Sequence, residues 1–298
     1  MTLSDLVRWP HAGTGLAVIG HPIGHSVSPQ MHNAALAALA GTDRRYATWR
    51  YDAFDIDPAD LPAALDRMGA LGFRGVNLTV PHKVLALGLV SRADAEAGEA
   101  GAVNTLLRDG GGWLGTNTDG YGLAAGVREE LGIRLAGTPV VILGAGGAAR
   151  AAAAECLRSG CAELWIANRT RARLESLLER IAPLAKGIPI RALDAGRRAE
   201  GLARGALVIN ATSAGLRAGE LAPADLALFP GLAAVYDMIY NPPVTRLLGQ
   251  ARELGVAHSN GLGMLVHQGA KSLEAWTGVP APETAPTMRR AAAKALGY

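Results

Sequence analysis

Short apolar runs of strand length alternate with longer stretches of helical periodicity in the first 83 residues of the chain. The run "LAVIG" at 16–20 is typical of a buried strand, and "GVNLTVPHK" at 75–83 is a strand-like alternation that stops at a proline. A strand-helix-strand-helix-strand series predicts parallel strands joined by crossover helices. The predicted strands are 16–20, 46–53 and 75–80, and the predicted helices are 28–40, with Ser28 as its N-cap, and 60–72.

A second series of alternating strands and helices follows residue 120. Its apolar runs predict the doubly wound, mostly parallel sheet of a nucleotide-binding domain. The predicted strands are 139–145, 163–169, 188–193, 206–212 and 233–240, and the predicted helices are 120–132, an alanine-rich stretch ending at Ser159, and 171–182. Two further helical stretches, 261–277 and 283–298, have no following strand, and periodicity alone does not assign them to either series.

The two series imply an α/β fold with two domains. A length of 298 residues favours two domains, and glycines cluster between the series in "GGGWLGTNTDGYG" at 110–122. We therefore expect an N-terminal α/β domain with a mostly parallel sheet over 1–119 and a Rossmann-like domain over 120–260. The helices of 261–298 form the third segment.

Net charge and hydropathy restrict the classes of partner. Lys and Arg exceed Asp and Glu by 29 to 26, and no long basic stretch with interleaved aromatic residues occurs, which favours small anionic ligands over nucleic acid. The N-terminus lacks the pattern of a signal peptide, and no run of about 18 apolar residues occurs. We expect a cytoplasmic protein with no membrane contact.

Cysteine and histidine spacing gives no indication of a metal site. Cys156 and Cys161 are the two cysteines, and their spacing fits neither a C-x-x-C pair nor a zinc framework, so we expect buried free thiols. A proline and a glycine lie between His21 and His25 and would break a helix that placed both on one face.

The glycine-rich segment after the strand at 139–145 predicts a dinucleotide site. Gly144, Gly146 and Ala149 follow the G-x-G-x-x-G/A spacing, which permits a tight turn and close approach of a pyrophosphate to the backbone. A P-loop is excluded because no Gly-Lys-Ser/Thr follows. The expected cofactor-binding residues here are Gly144, Ala145, Gly146, Gly147 and Ala148.

The end of the next strand distinguishes NADP from NAD. A cofactor without a 2′-phosphate is usually bound by an acidic residue about 20 residues beyond the glycines. This strand instead ends in "ANRTRAR", which provides an amide, a hydroxyl and two guanidinium groups. NADP is therefore preferred, bound by Asn168, Arg169, Thr170 and Arg173, although a solvated basic helix start is the alternative.

Three polar clusters lie in the loops of the first series, where open α/β sheets bind ligands at the carboxyl ends of their strands. Each also has a structural interpretation, since Ser28 can cap a helix, Asn104 can form a turn and Asp119 can cap the next helix. Their joint occurrence beside a cofactor domain favours a binding site. The clusters are Ser26 with Ser28, then Asn77, Thr79 and Lys83, and then Asn104, Thr105, Asn117, Thr118 and Asp119.

With these motifs in this order, the chain resembles the shikimate dehydrogenase family from residue 16 to nearly its end. The resemblance implies NADPH-dependent, reversible reduction of 3-dehydroshikimate to shikimate, on the route to chorismate and the aromatic amino acids. It also implies that the last helices return to the substrate domain. The segments that carry it are "HSVSPQMHN", "GVNLTVPHK", "GAVNT", "GTNTDG", "GAGGAAR", "NRTRAR", "NATSAG", "YDMIYNP" and "GLGMLVHQ".

The resemblance also implies roles for individual residues. Ser26 and Ser28 would hold the substrate carboxylate, and Lys83 would be the catalytic lysine with Asp119 beside it. Met238 and Gly261 would line the nicotinamide pocket. The ring and hydroxyls of the substrate would be bound by Thr79, Asn104, Asp119, Tyr240 and Gln268, and we include Asn77 in the substrate-binding set. We expect no metal and a monomer or homodimer.

Two departures and two alternatives accompany this prediction. Leu216 follows "NATSAG" where the family often has Met, and Arg246 follows Thr245 where Pro is frequent, which affects local packing or nicotinamide contacts. The alternatives are a quinate/shikimate dehydrogenase paralogue and a non-catalytic NADP(H)-binding module. Retention of both Lys83 and Asp119 favours an enzyme, because reduction of a ketone requires a proton donor.

The basic segment generates a first prediction. Arg169→Asp should weaken NADP binding by about ten- to a hundredfold, since an arginine-phosphate contact contributes about 1.5–3 kcal/mol, and should leave NAD binding nearly unchanged. Titration of each cofactor against both proteins measures the effect. An equal loss for NADP and NAD would refute the assignment of Arg169 to the 2′-phosphate.

Overall fold

The computed structural model describes residues 1–9, 12–194, 196–217 and 219–298. The chain divides into two compact units. The first unit comprises Met1–Thr118 and Val266–Tyr298, and the second comprises Asp119–Leu265. The first unit is therefore discontinuous in sequence, whereas the second is a single segment.

The predicted strands and helices alternate in the described residues, and residues 105–116 add a hairpin that the apolar pattern did not predict. The strands are β1 Thr14–Gly20, β2 Trp49–Asp55, β3 Gly75–Leu78, β4 Arg92–Ala93, β5 Thr105–Asp109, β6 Gly112–Thr116, β7 Pro139–Leu143, β8 Glu163–Ala167, β9 Ile190–Leu193, β10 Ala206–Asn210, β11 Leu232–Asp237 and β12 Ala257–Ser259. The α-helices are α1 Leu3–Val7, α2 Ser28–Ala40, α3 Leu61–Ala70, α4 His82–Leu85, α5 Ala95–Ala100, α6 Asp119–Leu131, α7 Gly147–Arg158, α8 Arg171–Ile181, α9 Arg246–Glu253, α10 Leu262–Thr277 and α11 Ala281–Leu296.

The sheet of the first unit has the strand order β2-β1-β3-β5-β6-β4. Strand β1 pairs in parallel with both β2 and β3, which confirms the predicted crossover connections. Strand β5 is antiparallel to β3 and β6, so the sheet is mixed beyond β3. Ala17 and Ile19 of β1 enter the same core cluster as Phe54 and Met68, and this burial explains the apolar run in β1.

Helix α2 spans the predicted residues 28–40, but its N-cap and the start of the second strand were predicted wrongly. Helix α2 begins at Ser28 with Val27 at its N-cap, and Ser26 Oγ accepts a hydrogen bond from the Ser28 N–H at 3.3 Å. The strand expected over 46–53 begins at Trp49, because Arg44–Thr48 forms a 3₁₀ helix capped by Asp43. Short polar side chains compete locally with regular structure, which explains both shifts.

The last helices belong to the first unit, as the family resemblance implies. Helix α11 packs on α2. On α10, Trp276 lies in the core, and its indole Nε1 donates a hydrogen bond to the Leu106 carbonyl of β5 at 2.9 Å. The second half of α10 thus completes the core of the first unit.

The sheet of the second unit is parallel throughout, with the order β12-β11-β10-β7-β8-β9. All five residues of β7 are buried, with Val140 and Ile142 in one core cluster and Val141 and Leu143 in another. Burial on both faces is typical of doubly wound sheets. The predicted Rossmann-like fold is confirmed, and the strand order reverses between β7 and β10, where such sheets bind ligands.

Two expectations from composition concern thiols and membranes. Cys156 and Cys161 are free and buried, as expected, and burial raises the pKa of both thiols. Throughout the described ranges, every helix is too short or too polar to span a bilayer.

The contact between β3 and α10 predicts opposite effects for two glycines of the first unit. A Cβ at Gly75 would overlap the Trp276 indole, so Gly75→Ala should reduce the free energy of unfolding by about 1–3 kcal/mol. A Cβ at Gly98, within α5, meets no neighbouring atom, so Gly98→Ala should stabilise by about 0.5–1 kcal/mol. Urea denaturation of both variants measures the difference, and equal effects would contradict the packing described.

Candidate active site

The predicted substrate-binding residues of the first unit lie at the ends of its central strands. Ser26 and Ser28 are at the start of α2, Asn77 is in β3, and Asn104 immediately precedes β5. Ser28, Asn77 and Asn104 are each less than one-tenth exposed. Buried polar side chains require hydrogen-bond partners, and these partners determine the geometry of the site.

Asn77 is the centre of one set of hydrogen bonds. Its Oδ1 accepts from the Tyr51 hydroxyl at 2.8 Å. Its Nδ2 lies 3.1 Å from the Asn104 carbonyl oxygen, 3.0 Å from Thr105 Oγ1 and 2.9 Å from Ser272 Oγ. Asn77 therefore joins β2, β3, β5 and α10 at one point.

Asn104 is the centre of a second, adjoining set. Its Oδ1 accepts from the Thr118 N–H at 2.8 Å and from Thr105 Oγ1 at 2.9 Å. Its Nδ2 donates to Thr118 Oγ1 at 2.9 Å and to Gln268 Oε1 at 3.4 Å. The structure thus brings together the predicted residues Asn77, Asn104 and Gln268 in one network, in which both asparagines are buried and Gln268 is half-buried.

Lys83 and Thr79 adjoin this network through the backbone. The Thr79 N–H donates to the Ile19 carbonyl at 2.9 Å, which keeps the chain beside β1 after β3 has ended. The Lys83 carbonyl accepts from the Val103 N–H at 2.7 Å, directly before Asn104. Lys83 is half-buried on the short helix α4, which follows the carboxyl end of β3.

The serine cluster is backed by two stacked rings. His32 and Tyr51 stack with centroids 4.0 Å apart, and the Tyr51 hydroxyl hydrogen-bonds the Ser28 side chain as well as Asn77. Burial raises the pKa of Tyr51, so the phenol stays neutral and able to donate. His32 Nδ1 donates to the Ser28 carbonyl at 2.9 Å, and burial lowers the pKa of His32 to about 4.

Sequence reasoning missed Tyr51 and Ser272. Ser272 is fully buried and touches Asn77, Thr105 and Thr118. It lies one helical turn after Gln268 on α10, and this i, i+4 spacing is a signal that could have identified it. Tyr51 is an isolated tyrosine in β2, and nothing in the sequence around it indicates a contact with Ser28.

In the second unit, the glycine loop, residues 144–147, leads into helix α7, and the start of this helix adjoins open space. Gly144 has φ of 116°, and a Cβ there would come within 2.9 Å of the Ala211 carbonyl oxygen, so the tight turn requires glycine. Gly146 caps α7 without a side-chain hydrogen bond, and a Cβ at Gly146 or Gly147 meets no atom within 4 Å. The first N–H groups of α7 adjoin open space, and this geometry fits a pyrophosphate.

The segment that follows β8 presents basic groups to solvent. Asn168 Nδ2 donates to the Thr170 carbonyl at 2.8 Å and fixes the turn, and Thr170 is the N-cap of α8. Arg169 and Arg173 are exposed. By contrast, Arg171 binds Glu175 at 2.7 Å and Asp194 at 3.4 Å. Exposed guanidinium groups beside a helix start fit the 2′-phosphate of NADP.

The remaining predicted residues of the second unit fall into two places. Asp119 is the first residue of α6 and is 3% exposed. Met238 and Tyr240 follow β11, and the Gly261 backbone packs so closely on the Met238 carbonyl that a Cβ would overlap it. The predicted closeness of Lys83 to Asp119 stays a prediction, because these residues belong to different units.

The two departures from the family pattern have simple local settings. Leu216 is 53% exposed. Arg246 is the first residue of α9, and Thr245 Oγ1 caps this helix by accepting from the Leu248 N–H at 3.3 Å.

Over the described ranges, no group of three or more His, Cys, Asp or Glu residues is arranged to hold a metal ion.

Family models match both units. The model of the shikimate dehydrogenase substrate binding domain matches residues 18–106, and that of shikimate / quinate 5-dehydrogenase matches 127–217. The model of the shikimate 5′-dehydrogenase C-terminal domain matches 261–293. The matched segments include the polar network, the glycine loop and the basic segment after β8.

Individual relatives are similar over nearly the whole chain. The chain is 42% identical to a shikimate dehydrogenase (NADP(+)) of Symbiobacterium thermophilum over 95% of both chains. It is 43% identical to the enzyme of that name from Moorella thermoacetica, over 96% of this chain and 95% of the relative. Among solved structures, shikimate 5-dehydrogenase from Thermus thermophilus, in complex with NADP(H) and shikimate, is 38% identical with a TM-score of 0.80, covering 93% of this chain and 99% of that one.

Buried His32 predicts a pH dependence of stability. Because its pKa in the folded protein is about 4, below the usual value of 6.5, the unfolded chain binds more protons between these values. The free energy of unfolding should therefore fall by about 3 kcal/mol as pH decreases from 6.5 to 4. His32→Gln should remove this component in urea titrations at several pH values, whereas His25→Gln, at an exposed histidine, should keep it.

Proposed function

Since the chain belongs to the shikimate dehydrogenase family, we propose that it catalyses the reversible, NADPH-dependent reduction of 3-dehydroshikimate to shikimate. The observation that carries the proposal is the buried network of the first unit, in which Asn77, Asn104 and Gln268 are fixed by mutual hydrogen bonds. A polyhydroxylated ring is bound best by amides and hydroxyls that are already oriented, since their ordering then costs little on binding.

The second unit, in this proposal, binds NADP(H). The N–H groups at the start of α7 take the pyrophosphate, and Arg169 and Arg173 take the 2′-phosphate, with Asn168 and Thr170 shaping the turn between them. When bound, the cofactor supplies a hydride to the ketone carbon. Met238 and Gly261 border the nicotinamide in this proposal, and their backbones pack so closely that a Cβ at Gly261 would overlap Met238.

The first unit binds the substrate in the same proposal. Ser26 and Ser28 hold the carboxylate, and the Tyr51 hydroxyl backs Ser28 from the core. Thr79, Asn77, Asn104 and Gln268 hold the ring hydroxyls. Tyr240 and Asp119, both in the second unit by sequence, complete the substrate-binding set.

The proton for the new hydroxyl comes from Lys83. Reduction of the ketone leaves negative charge on its oxygen, and a lysine ammonium is a donor suited to neutral pH. Asp119, the first residue of α6, is the second catalytic residue in this proposal. In the oxidation direction, neutral Lys83 accepts the proton from the shikimate hydroxyl, and it then needs to lose that proton to solvent before the next turnover.

The decisive experiment measures NADPH and NADH oxidation by the purified protein with 3-dehydroshikimate, followed by the reverse reaction with shikimate and with quinate. We expect reduction of 3-dehydroshikimate to be faster with NADPH than with NADH, and oxidation with NADP+ to be faster with shikimate than with quinate. Comparable rates with quinate would favour a quinate/shikimate paralogue. If the protein binds the cofactor but turns over none of these substrates, the result would favour a non-catalytic NADP(H)-binding module and refute the proposed enzymatic activity.

Assembly and location belong to the same proposal. The proposed location is the cytoplasm, with which the free, buried thiols of Cys156 and Cys161 are consistent. The proposed assembly is a monomer or homodimer. Light scattering coupled to size-exclusion chromatography measures the assembly, and a larger oligomer would contradict it.

Lys83 provides the mechanistic prediction. Lys83→Ala should reduce kcat by about a hundredfold or more, the usual contribution of general acid-base catalysis, and should change the KM for shikimate much less. Lys271→Ala is the matched control, because Lys271 pairs with Glu274 at 2.6 Å on α10 of the same unit. A rise in KM with kcat preserved would make Lys83 a binding residue.

A further inference from the structure

Asp237, at the end of β11, is a buried carboxylate that the proposed mechanism does not use. Its side chain is fully buried, and it accepts hydrogen bonds from Asn210 Nδ2 at 2.8 Å, the Ile239 N–H at 3.0 Å and Thr245 Oγ1 at 2.6 Å. No cation forms an ion pair with it among the described residues. Burial raises the pKa of Asp237, opposed by these three hydrogen bonds.

The three donors come from different segments at the carboxyl edge of the second sheet. Asn210 ends β10, Ile239 follows β11, and Thr245 caps α9. The hydrogen bonds continue beyond Asn210, whose Oδ1 accepts from Thr212 N–H at 3.0 Å and Thr212 Oγ1 at 2.8 Å. Thr212 Oγ1 in turn accepts from the Ala214 N–H at 3.1 Å. Asp237 thus anchors the whole segment 210–214.

This anchored segment lies against the glycine loop. A Cβ at Gly144 would come within 2.9 Å of the Ala211 carbonyl oxygen and 3.1 Å of Thr212 Cγ2. A displacement of 210–214 towards β7 would therefore collide with the tight turn that opens α7. The position of the segment and the shape of the glycine loop are coupled by contact.

The same anchor fixes the residues proposed to border the nicotinamide. The Met238 N–H donates to the Asn210 carbonyl at 3.0 Å, and the Gly261 N–H donates to the Ile239 carbonyl at 3.1 Å. Ile239, between Met238 and Tyr240, is held by Asp237 itself. One carboxylate therefore determines the spacing between segment 210–214 and residues 238–240.

We infer that Asp237 is a positioning residue for NADP(H), which holds segment 210–214 against the glycine loop and holds Met238 and Ile239 at the nicotinamide border, without touching the cofactor. The inference rests on the proposed function, because Met238 and Gly261 border the nicotinamide only in that proposal. The carboxylate suits this task because its two oxygens can accept from all three donors at once, whereas a neutral amide accepts through one oxygen.

Asp237→Asn in the full-length protein is the first test. The amide keeps the shape of the side chain but presents N–H groups to Thr245 Oγ1. The Kd for NADPH, from fluorescence titration, should rise about tenfold, which corresponds to about 1.4 kcal/mol at 25 °C. The KM for shikimate should rise less than the Kd for NADPH, because Tyr240 is the one proposed substrate-binding residue within 238–240. Asp225→Asn is the matched control, because Asp225 is exposed in the same unit and caps a short 3₁₀ helix.

Stability separates positioning from a purely structural role. A raised pKa means that the folded state holds the Asp237 proton more tightly than the unfolded chain does. The stability that this group contributes is thus present at low pH and is lost as pH rises through the folded-state pKa. Asn carries no charge to desolvate, which offsets the loss of the Thr245 hydrogen bond, so the unfolding free energy of Asp237→Asn at pH 7 should stay close to that of wild type. A lower Tm with unchanged Kd would overturn the inference.

Thr245 provides an independent pair of variants. Thr245→Val removes the hydroxyl that donates to Asp237 and should weaken NADPH binding in the same way, whereas Thr245→Ser keeps the hydroxyl and should bind as wild type does. Unchanged Kd values in both Asp237→Asn and Thr245→Val would overturn the inference while leaving the enzyme activity of the wild type intact. A wild-type protein that fails to bind NADPH would overturn both this inference and the proposed function.

Discussion

Burial of Asn77 and Asn104 obliges the surrounding chain to supply partners for two amides, because an unpaired amide away from water costs several kcal/mol. For Asn77, the hydroxyls of Tyr51 and Ser272 meet that requirement from β2 and α10. For Asn104, it is met by Thr105, Thr118 and Gln268. The relative positions of these strands and of α10 in the first unit are therefore set by the need to satisfy hydrogen bonds as much as by apolar packing. The second unit satisfies the same requirement around a single charge, the carboxylate of Asp237.

The fold could be predicted wherever buried apolar positions recur along the sequence with the period of a helix or a strand. Strand β7 and helix α2 came within about two residues of their predicted bounds, because long apolar patterns follow the faces that the core covers. Strands β5 and β6 and helix α9 were not predicted. These elements are short or half-exposed, so their own periodicity is weak. Contacts with neighbouring elements, among them the pairing of β5 with β6, determine their structure.

The candidate site was predictable where a motif concentrates chemistry in a few consecutive residues, as around Gly144 and Arg169. Tyr51 and Ser272 could not be found in this way, since each acts through partners more than 20 residues distant in the chain. Their roles follow from tertiary contacts that only the folded sheet creates. Asp237 is an intermediate case, because it stands inside a recognised motif but its function depends on Asn210 and Thr245.

The discontinuity of the first unit has a consequence for biosynthesis. During translation, β3 is complete long before Trp276 and Ser272 leave the ribosome, so Gly75 then faces no indole and Asn77 lacks one hydrogen-bond partner. The second unit is one uninterrupted segment and has all its strands once residue 265 has emerged. The nascent chain can therefore fold its middle before its beginning, against the usual order in which the N-terminal domain folds first.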